Sequence, residues 1–587
     1  MDSNIIGKAL QEYKQQDDNQ KWQKLKQRLS DSDITQPEVE QIANHFVEQL
    51  KIDEQAEEVS DCAYYAPRLG NGLDLKTKIS HTIALKLFPL ENDGDKSLEV
   101  IKTWSYIRYT QLISKLSNKF KQQIGNAYNK RVNFKKIQLS NQRQNFCDMK
   151  HEPISEQIAK PTAMPVKIAV YDDLADFFNY LESNYNLTKS TTNDDTFKLT
   201  AGTSVTKFNN SVDHIQFTKG TMFIDGRMDL CKQVVGPDHI QALIDSIKHN
   251  QHIKHFLLGN NIVNFTGAKA IAEFIGSDEH KSKIITWYLA GNRINTEGIK
   301  LIAEALEKDQ NCISLWLKRN PLMSEGGLHL GKMLSVNQHI KILDLHNTGL
   351  MNEGVDNLFK YIHLNNNLKY LYIDANGISK VDPIVNYFNI LIKEQRKGIQ
   401  NLWIDMNRLD DEGSIKLVET LKDYSYLKRL CMGSNRISHV ASNYILQNLQ
   451  QHPNLILLDL GIYKSTADMG ELPNNINNDG VDSICNFLEN NNKIKVMSIE
   501  YNAISAFGLD KIIESLLKNS NILYLYYKQY GICLAKDMVD KIKYHLEGNI
   551  KRQLNMNFAE FMNNKLRYIK HGNKVRYIDS IYRNSDK

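Results

Sequence analysis

The sequence predicts an α/β solenoid in its second half, preceded by a mostly α-helical segment. Two observations carry that prediction. First, one pattern recurs ten times between Ile253 and Ile532: apolar, two variable, apolar, variable, apolar, two variable, usually Asn, variable, apolar. Clear copies are Ile284 to Ile294 and Leu368 to Ile378. The Asn positions are Asn261, Asn292, Asn320, Thr348, Asn376, Asn407, Asn435, Tyr463, Asn502 and Tyr530, spaced 31, 28, 28, 28, 31, 28, 28, 39 and 28. A fixed period in this range marks stacked units that bury their faces only against one another. Second, each unit changes its internal period. Leu315-Trp316-Leu317 and Leu402-Trp403-Ile404 alternate with period 2, as a short strand with one buried face does. Gly298 to Leu306 then repeats apolar residues at three and four, as an amphipathic helix does.

The chain has 587 residues, 41% hydrophobic and 24% charged, enough for more than one core. Residues 1–182 are expected to form a helical domain. Gln36 to Leu50 opens on Pro37 and carries a 3/4 apolar stripe, and Asp95 to Lys121 is a longer amphipathic stretch. Val166 to Leu187 holds another helix through Leu174, Phe177, Phe178 and Leu181. Residues 183–215 turn polar and are expected to be a linker. A half-unit at 216–252 is expected to cap the solenoid, which runs over 253–550, and 551–587 is expected to supply a capping helix and a basic tail with frayed final residues.

Within the repeats, Gly267, Gly298, Gly326, Gly354, Gly413 and Gly508 lie six residues past the Asn position, with Gly480 in the same role after an insertion. A side chain there is expected to collide with the adjacent coil. The Asn amide is expected to bond the backbone of neighbouring coils, which a plain turn leaves open. Thr348, Tyr463, Tyr530 and the Asp382-Pro383 pair depart from the pattern and put their local turns in question. On these residues the array resembles leucine-rich repeats of the ribonuclease-inhibitor-like class. The resemblance implies a horseshoe with parallel strands inside and helices outside. It is specific for fold and says little of function.

Strand alternation gives the inner face. Its column is expected to be Leu257, Tyr288, Trp316, Asp344, Tyr372, Trp403, Cys431, Asp459, Ser498 and Tyr526, exposed to solvent. Tyr370 flanks it, and Asp374 and Asp405 lie two residues further along their strands. Trp and Tyr suit strands by β-propensity alone. Exposed aromatics ringed by carboxylates are also what protein interfaces anchor on. The residues expected to bind a partner are therefore Tyr288, Trp316, Asp344, Tyr370, Tyr372, Asp374, Trp403, Asp405 and Asp459. Their acidity calls for a protein partner with a basic segment.

Other chemistry is thin. Net charge is +5, too mild to argue for nucleic acid. Seven scattered cysteines show neither metal spacing nor a disulfide framework, so a reducing compartment is expected and no metal or cofactor is implied. Cys312 and Cys485 are expected in the core and Cys431 on the open inner face. His346 beside Asp344 and Asp374 is read as one of the polar side chains that solenoid surfaces routinely collect, not as a catalytic site. Gly70-Asn71-Gly72 lacks the Lys and Ser/Thr of a phosphate loop, and the basic run Lys119 to Lys136 reads as a solvated helix face. Cys62 and His81 are the weak catalytic pair, a cysteine hydrolase or transferase needing both plus an orienting group. No signal peptide or apolar run of membrane-spanning length is read, so a cytoplasmic site of action is expected.

Function is therefore expected to be protein binding on the concave face. Asn-, Lys-, Gln- and Ile-rich usage together with this repeat class is similar to effectors of amoeba-infecting bacteria, which act in a host cytosol. The alternatives are an enzyme whose N-terminal domain is targeted by the repeats, and a GTPase regulator. Regulators of that repeat class end in an acidic tail, whereas this chain ends basic.

Overall fold

The computed structural model describes residues 168–187, 204–208, 211–279, 282–463, 465–466, 471–529, 532 and 534–584. The expected helical stretches at 36–50 and 95–121, and Cys62 and His81, lie outside the described residues.

One sheet of 14 strands runs through the described residues in strictly sequential order. Strands β1 (Ser204–Phe208), β2 (Ser211–Gln216), β3 (Thr221–Phe223) and β4 (Arg227–Asp229) pair antiparallel. From β4 onward every pairing is parallel, through β5 (His255–Leu257), β6 (Thr286–Tyr288), β7 (Ser314–Trp316), β8 (Ile342–Asp344), β9 (Tyr370–Tyr372), β10 (Asn401–Trp403), β11 (Arg429–Cys431), β12 (Leu457–Asp459), β13 (Val496–Ser498) and β14 (Tyr524–Tyr526). A helix follows each parallel strand. These repeating units and their parallel sheet are those of a leucine-rich-repeat-like solenoid, as the 28-residue period requires.

The polar segment 183–215 is not a plain linker, because β1 and most of β2 fall within it and extend the sheet. The helix expected at 166–187 forms at Tyr171–Glu182 and packs on the solenoid itself. Its Phe177 and Tyr180 rings lie 5.2 Å from Phe217, and Ala169 N–H donates to Val234 O at 2.9 Å. The half-unit's helix forms at Gly236–Ile247, with Pro in its first turn.

The Asn amides form a ladder from coil to coil. Asn292 Oδ1 accepts from Asn261 N at 2.9 Å, and its Nδ2 donates to Leu258 O at 2.7 Å and Leu289 O at 3.0 Å. Asn320, Asn376 and Asn407 repeat this. At Thr348 the hydroxyl donates to Leu345 O at 2.8 Å instead. Tyr463 does not fill the Asn place in its unit. Asn474, beyond the insertion, accepts from Asn435 N at 2.7 Å and donates to Met432 O and Leu460 O. Tyr530 lies outside the described residues, and Gln529 makes the ladder bonds there, to Asn502 N and Ile499 O. Where the fifth unit lacks its Gly, helix Asp382–Lys393 opens on Pro383.

The helix-opening glycines are crowded mainly by their own unit. A Cβ on Gly267 would lie 2.3 Å from Val263, on Gly326 2.7 Å from Leu322 and on Gly480 2.3 Å from Ile476. Of those three, the nearest group is in each case the apolar residue four places earlier, so the expected clash with the next coil is corrected there; at Gly298 it is Ala268 of the preceding coil, 2.9 Å away.

Two apolar clusters sandwich the sheet. One lies between strands and helices and includes Trp287, Leu315, Leu343, Leu371 and Leu402. The other lies on the inner side and joins wall residues to the C-terminal segment.

Candidate protein-binding wall

Each parallel strand ends on a wall residue, and the register sets these side by side. Leu257, Tyr288, Trp316, Asp344, Tyr372, Trp403, Cys431, Asp459, Ser498 and Tyr526 are consecutive partners across the sheet. This is the column that alternation predicts. Its aromatics touch: Tyr372 stacks on Trp403 at 4.0 Å and 12°, and Trp316 lies 5.5 Å from Tyr372.

The column is not exposed, contrary to expectation. Trp316 is 4% and Trp403 2% accessible, and Tyr288, Asp344, Tyr372, Asp374, Asp405 and Asp459 are buried, with Tyr370 half-buried. Cys431, expected to be open, is fully buried, and burial followed by the Asp405 charge raises its thiol pKa well above the usual range. Cys312 is in the core as expected, and Cys485 is partly buried against it.

The cover is the chain's own C-terminus. Helix Lys536–Leu554 closes the last unit, and the chain then runs back along the wall in short turns at Phe561–Lys565, Leu566–His571 and Asn573–Ile578. Residues 555–584, expected to supply a capping helix and basic tail, thus form a strap to the far end of the solenoid, and the expected frayed residues 585–587 lie outside the described residues. Phe561, Leu566, Val575 and Ile578 are buried in the same cluster as Trp316 and Trp403.

Polar contacts and ring stacking tie the strap to the wall along its length. Lys570 Nζ lies 2.9 Å from Asp459 Oδ2 and 5.1 Å from the centre of the Tyr526 ring. Arg429 Nε donates to Ile569 O at 2.7 Å. His571 stacks 5.7 Å from Trp403, and Tyr372 OH donates to His571 O at 3.4 Å. Tyr577 stacks on His255 at 4.2 Å. Arg583 donates to Tyr288 OH at 2.5 Å, and Asp229 Oδ2 accepts from Ile581 N at 3.1 Å. Tyr582 OH shares a 2.8 Å hydrogen bond with Thr221 Oγ1, 361 residues away in sequence.

Covering the wall alters its charges. Burial, then the neighbouring Asp344 carboxylate, pushes Asp374 up to about 7 against the hydrogen bond from Asp405 N. Asp405 is raised by burial and by Asp374 and Asp459. Burial also opposes the charge on Asp459, but the Lys570 ammonium outweighs it and holds that carboxyl below its usual range. Burial, then Lys570 and Arg567, lowers His571 to about 3, so its ring is neutral at physiological pH. His346 Nδ1 lies 3.4 Å from Asp374 Oδ2 beside the Tyr463 ring. The indole N–H groups of Trp316 and Trp403 have no hydrogen-bond partner among the described residues.

Arg429 is the wall residue that sequence reasoning missed. It stands one place before the second apolar position, on the same side as Tyr370, and period 2 marks it as inward. Among the described residues there is no cluster of three His, Cys, Asp or Glu able to hold a metal ion, and no helix long and apolar enough to cross a membrane.

No protein-family model matches the sequence, and no curated protein matches it. A solved structure titled "Leiomodin-1 Actin-Binding Site 2 (ABS2)" is 15% identical and covers 31% of this chain and 98% of that one, at a TM-score of 0.24. At that score the likeness carries no argument about this chain.

Proposed function

We propose that this chain is a protein-binding solenoid of the ribonuclease-inhibitor-like leucine-rich-repeat class. Its inner wall takes a basic, ring-bearing segment of a partner. One observation supports this most directly: the wall already holds such a segment, with Lys570 on Asp459 and His571 on the Trp403 face. The wall supplies acid for a cation, flat rings for stacking and an Arg429 donor for a backbone carbonyl. Together these suit a polypeptide better than a small molecule.

The reading is tested with the full chain carrying Lys570→Glu, which weakens its own cover. Basic, Tyr- or His-containing synthetic peptides should bind it in titration calorimetry, and acidic peptides of equal length should not. Adding Asp459→Asn should weaken binding about tenfold, the loss of one charge-assisted contact. Equal binding of both peptide classes would remove the proposal.

A further inference from the structure

We infer that segment 566–584 is a stand-in ligand that a partner displaces, and that the partner presents Lys, a flat ring and Gly at consecutive positions, as Lys570-His571-Gly572 does. This rests on the wall being a protein-binding surface and specifies what that surface reads.

The three residues meet three different features of the wall. Lys570 sits between the Asp459 carboxylate and the Tyr526 ring, a site for an extended primary ammonium. His571 lies flat on Trp403 at 17°, where any planar ring would stack. Gly572 has φ +86°, and a Cβ there would lie 3.0 Å from the Tyr370 ring. Any other residue would be both strained and crowded at that point. A cation, a ring and an absent side chain in sequence make a more selective grip than charge alone.

Two features mark this occupant as replaceable. The strap contributes no strand to the sheet among the described residues, so its departure breaks no sheet pairing. It also leaves the indole donors of Trp316 and Trp403 without acceptors although both rings are almost wholly buried. A buried N–H left unpaired is costly, and a partner backbone offering carbonyls there gains what the strap does not supply.

The test is displacement in the full chain. A dye-labelled synthetic peptide of residues 566–584 is titrated against the wild type and against a Lys570→Glu, His571→Ala variant. The peptide should bind the variant about tenfold or more tighter, and a Gly572→Ala peptide should lose that binding about tenfold. Equal affinity for the two chains, both melting alike, overturns the inference. Hydrogen exchange on the wild type gives a second measurement that needs no variant to fold. Strap amides should exchange well before those of β9, and exchange only with global unfolding overturns the inference. If an unrelated basic peptide binds the variant as well as 566–584 does, the Lys-ring-Gly reading falls while the binding wall stands. If neither binds, both fall.

Discussion

Lys570 and Asp459 form an ion pair at 2.9 Å across 111 residues of sequence, and it fixes the strap to the wall at β12, two strands from its C-terminal edge. Asp459 is also anchored from behind, because its Oδ1 accepts from Gly461 N at 3.0 Å. The carboxylate is therefore pre-positioned before the lysine arrives. A pair so organised and mostly desolvated differs from a surface pair, whose attraction is spent in ordering side chains.

That difference is measurable as a coupling energy. A cycle of Lys570→Met, Asp459→Asn and the double variant, read as the opening free energy of strap amides, should give about 2 kcal/mol, the scale of a charged hydrogen bond. Coupling below about 0.5 kcal/mol would place the pair among ordinary surface contacts.

His571 gives the strap a pH dependence of definite sign. Its docked pKa is about 3, below the ordinary value near 6.5. Its contribution to docking is full above about pH 6.5 and is lost as pH falls toward 3, because the released ring then takes up a proton that the docked ring resists. Acidification from pH 7.5 to 5 should increase strap opening in the wild type. In His571→Phe, which keeps a stacking ring, this part of the dependence should vanish. Hydrogen exchange corrected for intrinsic rates reads it. An unchanged profile in the variant would assign the dependence to other groups.

The wall column was legible because two periods lock it. Alternation chooses the face and the 28-residue repeat chooses the neighbours, so Tyr288, Trp316, Tyr372 and Trp403 had to align. What covers them was not legible. The strap has no period, and pairing Lys570 with Asp459 is a choice among many acids that sequence distance cannot rank. The residue before most ladder positions was hidden in another way. Asn260, Arg319, Ala375, Met406, Ser434 and Tyr501 all have φ between 52° and 57°, yet share no side-chain chemistry. Hydrogen bonds to the next coil hold them there: Arg319 N–H donates to His346 O, and Met406 N–H to Gly433 O.

Helices Met323–Val336 and Met351–Ile362 approach through glycine. A Cβ on Gly327 would lie 2.2 Å from Gly354 O, and one on Gly331 3.0 Å from Leu358 O. The obstacle is backbone, so it cannot turn aside. Gly327→Ala should destabilise the solenoid by about 1–3 kcal/mol in urea unfolding, although Ala favours helix. A neutral or stabilising result would show that the two coils can separate freely.

The amide ladder predicts which residue in the eighth unit carries structure. Tyr463 stands in the repeat's register, but Asn474 makes the bonds, accepting from Asn435 N and Ile437 N and donating to Met432 O and Leu460 O. These groups are buried, and removing the amide leaves backbone donors and acceptors without partners. Asn474→Ala should therefore cost on the order of 3 kcal/mol, as Asn292→Ala should in a regular unit. Both are read from urea midpoints on the full chain. If Asn474→Ala costs less than about 0.5 kcal/mol while Asn292→Ala unfolds the protein, the insertion has not moved the ladder, and the eighth coil is held by something other than an amide.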